Sequence, residues 1–189
     1  MERQIELSEP AALRALAHPL RLRLVALLRR QGSLTASEAG RLLGESSGST
    51  SYHLRQLERF GLVEEAAADG HGRQRPWRAT ALYTSWPSAP ESDELAEASL
   101  VLDRFVVRRY AERLAEWIEH RRAEPREWVE ASAFGDSLLY LDMDELAALR
   151  EGLQALAEPY LERISDPALR PDGARPVAFV QIAFPVDEL

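Results

Sequence analysis

The first thirty residues carry a helical period that a single proline divides into two segments. Leucines recur at three- and four-residue steps from Leu13 to Leu28, which is the spacing of one helix face. His18-Pro19 interrupts the run, because a residue before proline avoids helical backbone angles while proline itself suits a helix's first turn. Gly32 has the character of a helix stop. We therefore predict one short helix ending near residue 17 and a second over about residues 19–30.

A third and a fourth short helix follow, separated by a tight turn. Thr35 and Glu38 have capping-box spacing, which predicts a helix that begins there and ends at Gly44. Residues 45–49 (Glu-Ser-Ser-Gly-Ser) are rich in turn and N-cap residues. They predict a turn leading into a helix that ends at Gly61. Two short helices joined by a sharp turn are typical of a helix-turn-helix.

Two strands are expected directly after this pair of helices. Residues 62–66 (Leu-Val-Glu-Glu-Ala) and 74–82 have strand composition, and residues 69–72 (Asp-Gly-His-Gly) form a turn between them. A hairpin at this place makes the unit a winged helix-turn-helix.

The helix after the turn has two faces of different chemistry. With residues placed 100° apart, an inner face collects Thr50, Leu54, Leu57 and Gly61. The opposite face collects Gly48, Ser49, Tyr52, Arg55, Gln56 and Arg59. Glutamine can pair with adenine edges, arginine with guanine edges or phosphates, and serine with either. The alternative is that this is the solvated face of an ordinary small helix, but the turn and the wing favour a DNA-reading surface.

Two sequence stretches resemble ArsR-type winged-helix repressors. Residues 15–25 (Ala-Leu-Ala-His-Pro-Leu-Arg-Leu-Arg-Leu-Val) are similar to the family's opening helices, and residues 49–63 contain Ser-x-His-Leu leading to Gly-Leu-Val, similar to its recognition helix. The similarity covers about residues 10–85. It implies a cytoplasmic homodimer that binds a palindromic operator in double-stranded DNA and releases it on binding an effector. Family dimers commonly pair through their terminal helices.

The expected DNA-binding residues lie on the recognition helix, the helix before it and the wing. They are Arg41, Ser49, Tyr52, Arg55, Gln56, Arg59, His71, Arg73 and Arg75.

Metal sensing is not expected, although the family resemblance suggests it. Metal-sensing relatives use cysteines before the recognition helix or His, Asp and Glu sets on a terminal helix, and this chain has no cysteine. Its four histidines are His18, His53, His71 and His120, and no two have ligand spacing. His120 with Glu116 would make only a two-residue site, which is poor for any metal. We therefore expect no metal, no cofactor and a non-metal effector.

The second half of the chain differs from the first in charge. Residues 1–85 hold twelve arginines against nine acidic residues, net +3, whereas residues 86–189 hold eleven against twenty-two, net −11. We expect two domains, a winged helix-turn-helix over 1–85 and a dimerisation or effector region over 86–189. Acidic surplus in the second would repel DNA and restrict contact to the first.

A long helix, about residues 94–122, is predicted to link the domains, and its apolar stripe is long enough to be covered by a second copy. Strands are expected over 128–134, 137–141 and 176–185, and a further helix from Asp142 to Ile164. The whole is therefore expected to be mainly α, with an α+β C-terminal region.

The aromatic residues of the second half either line an effector pocket or simply form a core or dimer seam. They are Tyr110, Trp117, Trp128, Phe134, Tyr140, Tyr160, Phe179 and Phe184.

Together these observations predict a homodimeric transcriptional regulator, a repressor by expectation, and not an enzyme. Ser137 lacks the Gly-x-Ser-x-Gly frame of a nucleophile, and no phosphate-binding glycine loop occurs. No apolar run is long enough to span a bilayer, and no signal peptide is evident at the start, which predicts a cytoplasmic protein. Two alternatives stay open: a winged-helix module for protein interaction, and a small-molecule sensor whose C-terminal domain carries the main activity.

Overall fold

The computed structural model describes residues 2–67 and 75–186. The first group of elements is β1 (Glu2–Glu6), α1 (Pro10–Leu16), α2 (Pro19–Gln31), α3 (Ala36–Leu43), α4 (Ser47–Glu58), β2 (Val63–Glu65), β3 (Trp77–Ala79) and β4 (Ala81–Ser85). The second group is α5 (Asp93–His120), α6 (Arg126–Ala131), α7 (Met143–Ala157) and α8 (Glu162–Ser165). We call β1 to β4 with α1 to α4 the head.

The helix boundaries of the head agree with the sequence predictions because the predicted caps form. His18 begins α2, and its Nδ1 accepts a hydrogen bond from the Leu20 backbone N–H at 3.1 Å. Thr35 and Glu38 make both halves of the capping box of α3. Gly44 ends α3 in the left-handed conformation, with φ of 71°, which lets the chain turn sharply into α4.

One hydrophobic core holds the head together. Leu13 of α1, Leu24 of α2 and Leu54 and Leu57 of α4 are fully buried in it. Leu102 of α5 belongs to the same cluster. Full burial of Thr50, Leu54 and Leu57 confirms three of the four residues predicted for the inner face, whereas Gly61 lies beyond the end of α4 and is exposed.

The wing is a short antiparallel pair. β2 pairs with β3 in the register Val63↔Ala79 and Glu65↔Trp77, and Leu34 bridges to Trp77 on the other side. The predicted turn at 69–72 lies outside the described residues.

The prediction of one strand over 74–82 is wrong in its extent. The strand is interrupted at Thr80, and β4 beyond it leaves the wing to pair in parallel with β1, from Glu2↔Ala81 to Glu6↔Ser85. The sequence analysis did not predict β1. Its residues, Glu-Arg-Gln-Ile-Glu, offer a single aliphatic side chain, so the apolar pattern that marks a strand is almost missing.

A half-buried arginine connects β4 to the helical layer. Arg29 of α2 donates from Nε to the Ala81 carbonyl at 2.8 Å and from its terminal nitrogen to Thr84 Oγ1 at 2.6 Å. Burial lowers the pKa of Arg29 to about 10, so the guanidinium remains charged at neutral pH. It satisfies acceptors on β4 that apolar side chains of α2 could not.

Helix α5 has 28 residues and is therefore about 42 Å long. Its first three turns pack on α1 through Leu95, Ala98 and Leu102, all buried. Further along, the predicted stripe emerges from the core, and Leu114 and Ile118 are exposed. The prediction of a long helix is confirmed, and the covering of its apolar stripe by a second copy stays a prediction.

The strands predicted beyond α5 do not form. Residues 126–131 are helical, where a strand was predicted over 128–134, because Arg126 and Glu130 pair one helical turn apart at 2.6 Å and Pro125 stands at the N-cap. Residues 137–141 and 176–185 form neither helix nor strand and take part in neither of the described sheets.

The helix predicted from Asp142 to Ile164 begins as expected and is then interrupted. Asp142 and Glu145 form a complete capping box at the start of α7. Pro159 follows the end of α7, where a 3₁₀ turn over Glu158–Tyr160 separates α7 from α8, because proline offers no N–H to the helix.

None of the helices in residues 2–67 and 75–186 combines the length and apolarity that crossing a membrane requires.

Candidate nucleic-acid interface

The turn between α3 and α4 is fixed by hydrogen bonds and by close packing. Ser46 caps α4 by accepting from the Ser49 backbone N–H at 3.2 Å. Thr50 is fully buried, and its hydroxyl donates to the Ser46 carbonyl at 2.9 Å. Gly40 of α3 lies so close that a Cβ there would stand 2.8 Å from the Glu45 carbonyl oxygen. Helix α4 is thereby held at one angle to α3.

The outer face of α4 forms a polar ridge on the surface. Tyr52 is 57% exposed, Arg55 and Arg59 are exposed, and Ser49 and Gln56 are half-buried. Within the described residues, neither Arg55 nor Arg59 forms an ion pair. The five predicted residues of this helix therefore share one outward face.

Arg41, the predicted residue of the preceding helix, is exposed near the end of α3. It lies one turn after Glu38, whose pKa is lowered mainly by its hydrogen bonds to Thr35 and to a smaller extent by Arg41.

A cleft of about 400 Å³ separates the start of α4 from the base of the wing. It is lined by Ala36, Ser37, Ser47, Gly48, Ser51, Arg55, Glu65, Arg75 and Trp77. The first turn of a helix presents unsatisfied N–H groups and a partial positive charge. With a guanidinium on two walls, the cleft has the donors that a phosphate oxygen requires.

The two arginines of the described part of the wing already have acidic partners. Arg75 pairs with Glu65 at 2.9 Å, and Arg78 pairs with Glu64 at 2.8 Å. All four side chains are solvent-accessible, so each pair is weak. A phosphate could therefore replace Glu65 as the partner of Arg75. His71 and Arg73, also predicted to touch DNA, lie outside the described residues.

Two histidines pack behind the ridge, an arrangement that sequence analysis did not predict. The rings of His18 and His53 have centroids 4.5 Å apart, and Tyr52 meets His53 edge-on at 5.1 Å. Burial lowers the pKa of both imidazoles, and the nearby Arg21 lowers them further. His53 Nδ1 is buried without a hydrogen-bond partner. His18 thus caps α2 with its Nδ1 and at the same time packs against His53 of α4.

Among the residues that the structure describes, no group of three or more His, Cys, Asp or Glu side chains could hold a metal ion.

The helix-turn-helix and the wing together define a class, a winged helix-turn-helix domain. Residues 16–66 match the family model described as a helix-turn-helix domain. This match confirms the prediction of such a domain, and the winged fold agrees with the resemblance to ArsR-type regulators. The match supports a DNA-binding regulator.

Solved structures similar to this chain include several regulators, and no curated protein matches it. Reduced HlyU from Vibrio cholerae is 22% identical, over 48% of this chain and 81% of its own, with a TM-score of 0.32. The transcriptional repressor BigR from Xylella fastidiosa is 24% identical, over 51% of this chain and 82% of its own, with a TM-score of 0.32. The winged helix-turn-helix fragment of Mb0332 from Mycobacterium bovis is 20% identical, over 57% of this chain and 77% of its own, with a TM-score of 0.33.

Proposed function

We propose that this protein is a homodimeric, sequence-specific transcriptional regulator that binds a palindromic operator. The observation that carries the proposal is the exposed ridge of α4, which stands beside a cationic cleft while its opposite face is buried. An α-helix fits the major groove of B-DNA, and the ridge offers Arg55 and Gln56, whose side chains can make bidentate pairs with guanine and adenine edges.

The cleft at the start of α4 gives the ridge its register on the duplex. A backbone phosphate accepted by the first turn of α4 and by Arg75 would fix the depth at which the ridge enters the groove. Arg41 and Arg59 stand at the two flanks, where they would contact neighbouring phosphates. The ridge would then determine the sequence specificity for DNA, and these flanking charges would determine most of the affinity.

The regulator would act as a dimer with separate parts for binding and assembly. Residues 1–85 are the DNA-binding domain in this proposal, and residues 86–189 are the dimerisation and effector region. Two heads would occupy successive major grooves about 34 Å apart on one side of the duplex. We expect a repressor that an unidentified non-metal effector releases, acting in the cytoplasm where it reaches DNA.

Selection of bound sequences from random DNA by the full-length protein tests the proposal. We expect a motif with two inverted half-sites separated by one helical turn. Affinity should fall steeply with added salt, because phosphate contacts release counterions. Selection of no common motif, or salt-independent binding, would contradict a sequence-specific regulator and favour a protein-interaction module.

The individual roles can be separated with single substitutions. Arg55→Ala should weaken operator binding by about 1–3 kcal/mol and relax the preference at one base, if it reads a guanine. Arg75→Ala should weaken all sequences alike and reduce the salt slope by about one. Arg150→Ala is the matched control, because Arg150 is an exposed arginine of α7 far along the chain from the ridge. Fluorescence anisotropy with labelled operator measures all three, and equal affinity for Arg55→Ala and the control would remove the base-reading role.

A further inference from the structure

Two segments of the second half of the chain belong to no helix or strand. The upstream segment (residues 132–141) joins α6 to α7, and the terminal segment (residues 176–186) follows α8. The sheets of the described chain use only β1 to β4. Neither segment therefore has a partner in a strand ladder within the described residues.

The terminal segment has the composition of a strand from the interior of a sheet. Between Pro176 and Pro185, every side chain except Gln181 is apolar, so both faces of a strand would be apolar. Phe179, Ile182 and Phe184 are nevertheless 61%, 63% and 68% exposed. Strands that are apolar on both faces are found where both faces are covered and both edges are paired.

The start of the terminal segment is fixed to the body of the chain. Arg175 forms a bidentate pair with Glu124, at 2.7 and 3.2 Å, and its guanidinium lies 4.9 Å from the centre of the Trp128 ring. The exposed apolar run therefore begins from an anchored position beside α6. Its exposure is a property of its surroundings and not of a loose attachment.

The two segments of one chain do not supply both neighbours that an interior strand needs. The upstream segment, which carries Phe134 and Tyr140, is the other apolar stretch without a partner in the described residues. It can pair with one edge of the terminal segment and leaves the second edge open. Two copies of the chain hold four such segments, which is enough to pair both edges of each terminal segment.

The exposed area is large enough for a stable dimer. Eleven large apolar side chains of the two segments are exposed. At roughly 100 Å² each they expose on the order of 1,000 Å² per copy, against about 800 Å² per partner in a standard interface. Monomers rarely expose contiguous apolar patches beyond about 600 Å², so this much exposed apolar area favours a partner surface of matching chemistry.

The charge distribution favours a second copy as that partner. Residues 86–189 carry net −11, but the terminal segment contains no charged residue and the upstream segment contains only Asp136. Like charges therefore do not oppose one another where two terminal segments would meet. A two-fold axis between two identical strands makes them antiparallel, which is the arrangement that neighbouring strands adopt most often.

We propose that the terminal segments of two copies pair as antiparallel strands across the two-fold axis, at the centre of a four-stranded sheet that the two upstream segments complete. This inference rests on the homodimer of the proposed function and specifies how it is built. The apolar stripe of α5 beyond Leu102 supplies a surface to cover one face of this sheet.

Disulfide scanning tests the pairing without background cross-linking through native cysteines, because the chain has none. Phe179, Val180, Gln181 and Ile182 are each replaced by Cys in the full chain and oxidised. Opposed residues at the axis lie about 4.5–5.5 Å apart at Cα, within reach of a disulfide. For each position further from the axis, the separation between that residue and the same residue of the other copy grows by about 6.8 Å along the strands. We expect efficient cross-linking at one or two adjacent positions, at least fivefold above Met143→Cys, an exposed control outside both segments.

Hydrogen exchange on the unaltered protein gives a second, mutation-free test. Amides of residues 178–184 should exchange at least a hundredfold more slowly than those of an unpaired peptide, at concentrations where sedimentation shows a dimer. Full exchange within seconds in a dimeric sample would overturn the pairing, as would equal cross-linking at all four positions and at Met143→Cys.

The outcomes also distinguish this inference from the proposed function. Operator binding by a dimer that shows neither cross-link nor protection would leave the regulator standing and remove the intersubunit sheet. A cross-linked, protected dimer that selects no DNA motif would support the sheet and contradict the regulator.

Discussion

Replacement of Gly40 by alanine is expected to destabilise the head, although the same change stabilises most helices. Gly40 lies in α3 at its contact with the turn into α4. A Cβ there would stand 2.8 Å from the Glu45 carbonyl oxygen and 3.0 Å from Thr50 Oγ1. The first distance is shorter than real Cβ atoms show, so the substitution forces a movement.

The structure indicates that this movement is costly. The atom that must yield is backbone, and the Glu45 N–H is already hydrogen-bonded to the Gly40 carbonyl at 2.8 Å. Thr50 is fully buried with its hydroxyl bound to Ser46, so it cannot rotate away freely. Alanine gains about 0.8–1.0 kcal/mol in helix propensity, whereas overpacking a well-packed site costs about 1–3 kcal/mol. We expect a net loss of about 1 kcal/mol in the free energy of unfolding.

Urea unfolding followed by circular dichroism measures this difference, with an unchanged m-value as the check that only stability has moved. Gly48→Ala is the matched control, because Gly48 is also helical and a Cβ there meets nothing within 4 Å. The control should be neutral or more stable by up to about 1 kcal/mol. If Gly40→Ala is as stable as the control, the contact does not set the angle between α3 and α4.

Three other perturbations have outcomes that the structure decides. Because the folded pKa values of His18 and His53 lie below the ordinary value of 6.5, the unfolded chain binds more protons, so stability should be complete above about pH 6.5 and fall as pH drops toward 5.5. Urea midpoints at both pH values test this. If a His18→Asn/His53→Gln variant loses as much stability between the two pH values as the wild type, other groups cause the loss. Arg29→Met should cost roughly 1–3 kcal/mol by leaving acceptors on β4 unpaired, and a thermal midpoint equal to that of the wild type would show that water replaces the guanidinium. Ser46→Ala removes the N-cap of α4 and should cost about 1 kcal/mol, whereas Ser46→Asp should restore most of it; failure of this rescue in the same unfolding assay would argue against the cap.

The local rules of helix formation predicted the head well because its elements are determined by neighbours in sequence. Capping boxes, glycine stops and the buried face of α4 all depend on residues within four positions of one another. The polar ridge was predictable for the same reason, since one helix period places its residues together. The cleft beside it was not, because Arg55 and Arg75 are brought together only by the way the wing folds back.

The elements that sequence analysis missed depend on distant partners. β1 forms because it pairs with a free edge of β4, which lies 75 or more residues further along the chain. The composition of β1 itself does not indicate a strand. The three C-terminal strands were predicted from apolar patterns. Such patterns favour burial but do not identify the element that covers the segment. Residues 126–131 are helical after Pro125 at the N-cap, with Arg126 and Glu130 paired one turn apart, whereas the two remaining segments form neither helix nor strand in the described chain.

Helix α5 and the inner face of α4 share one hydrophobic core, which has a consequence for the proposed regulation. Leu95 and Leu102 of α5 share their hydrophobic cluster with Leu54 and Leu57, the inner face of α4. Protein interiors are close-packed, so α5 cannot shift at its first turns without moving that face. The far end of α5 leads to the region that we propose joins two copies. An effector that changed the angle between the two α5 helices by a few degrees, over about 42 Å of helix, would move the heads by several ångströms. Because a palindromic operator requires half-site spacing near one helical turn, such a movement alone would be enough to release DNA while each head remained folded.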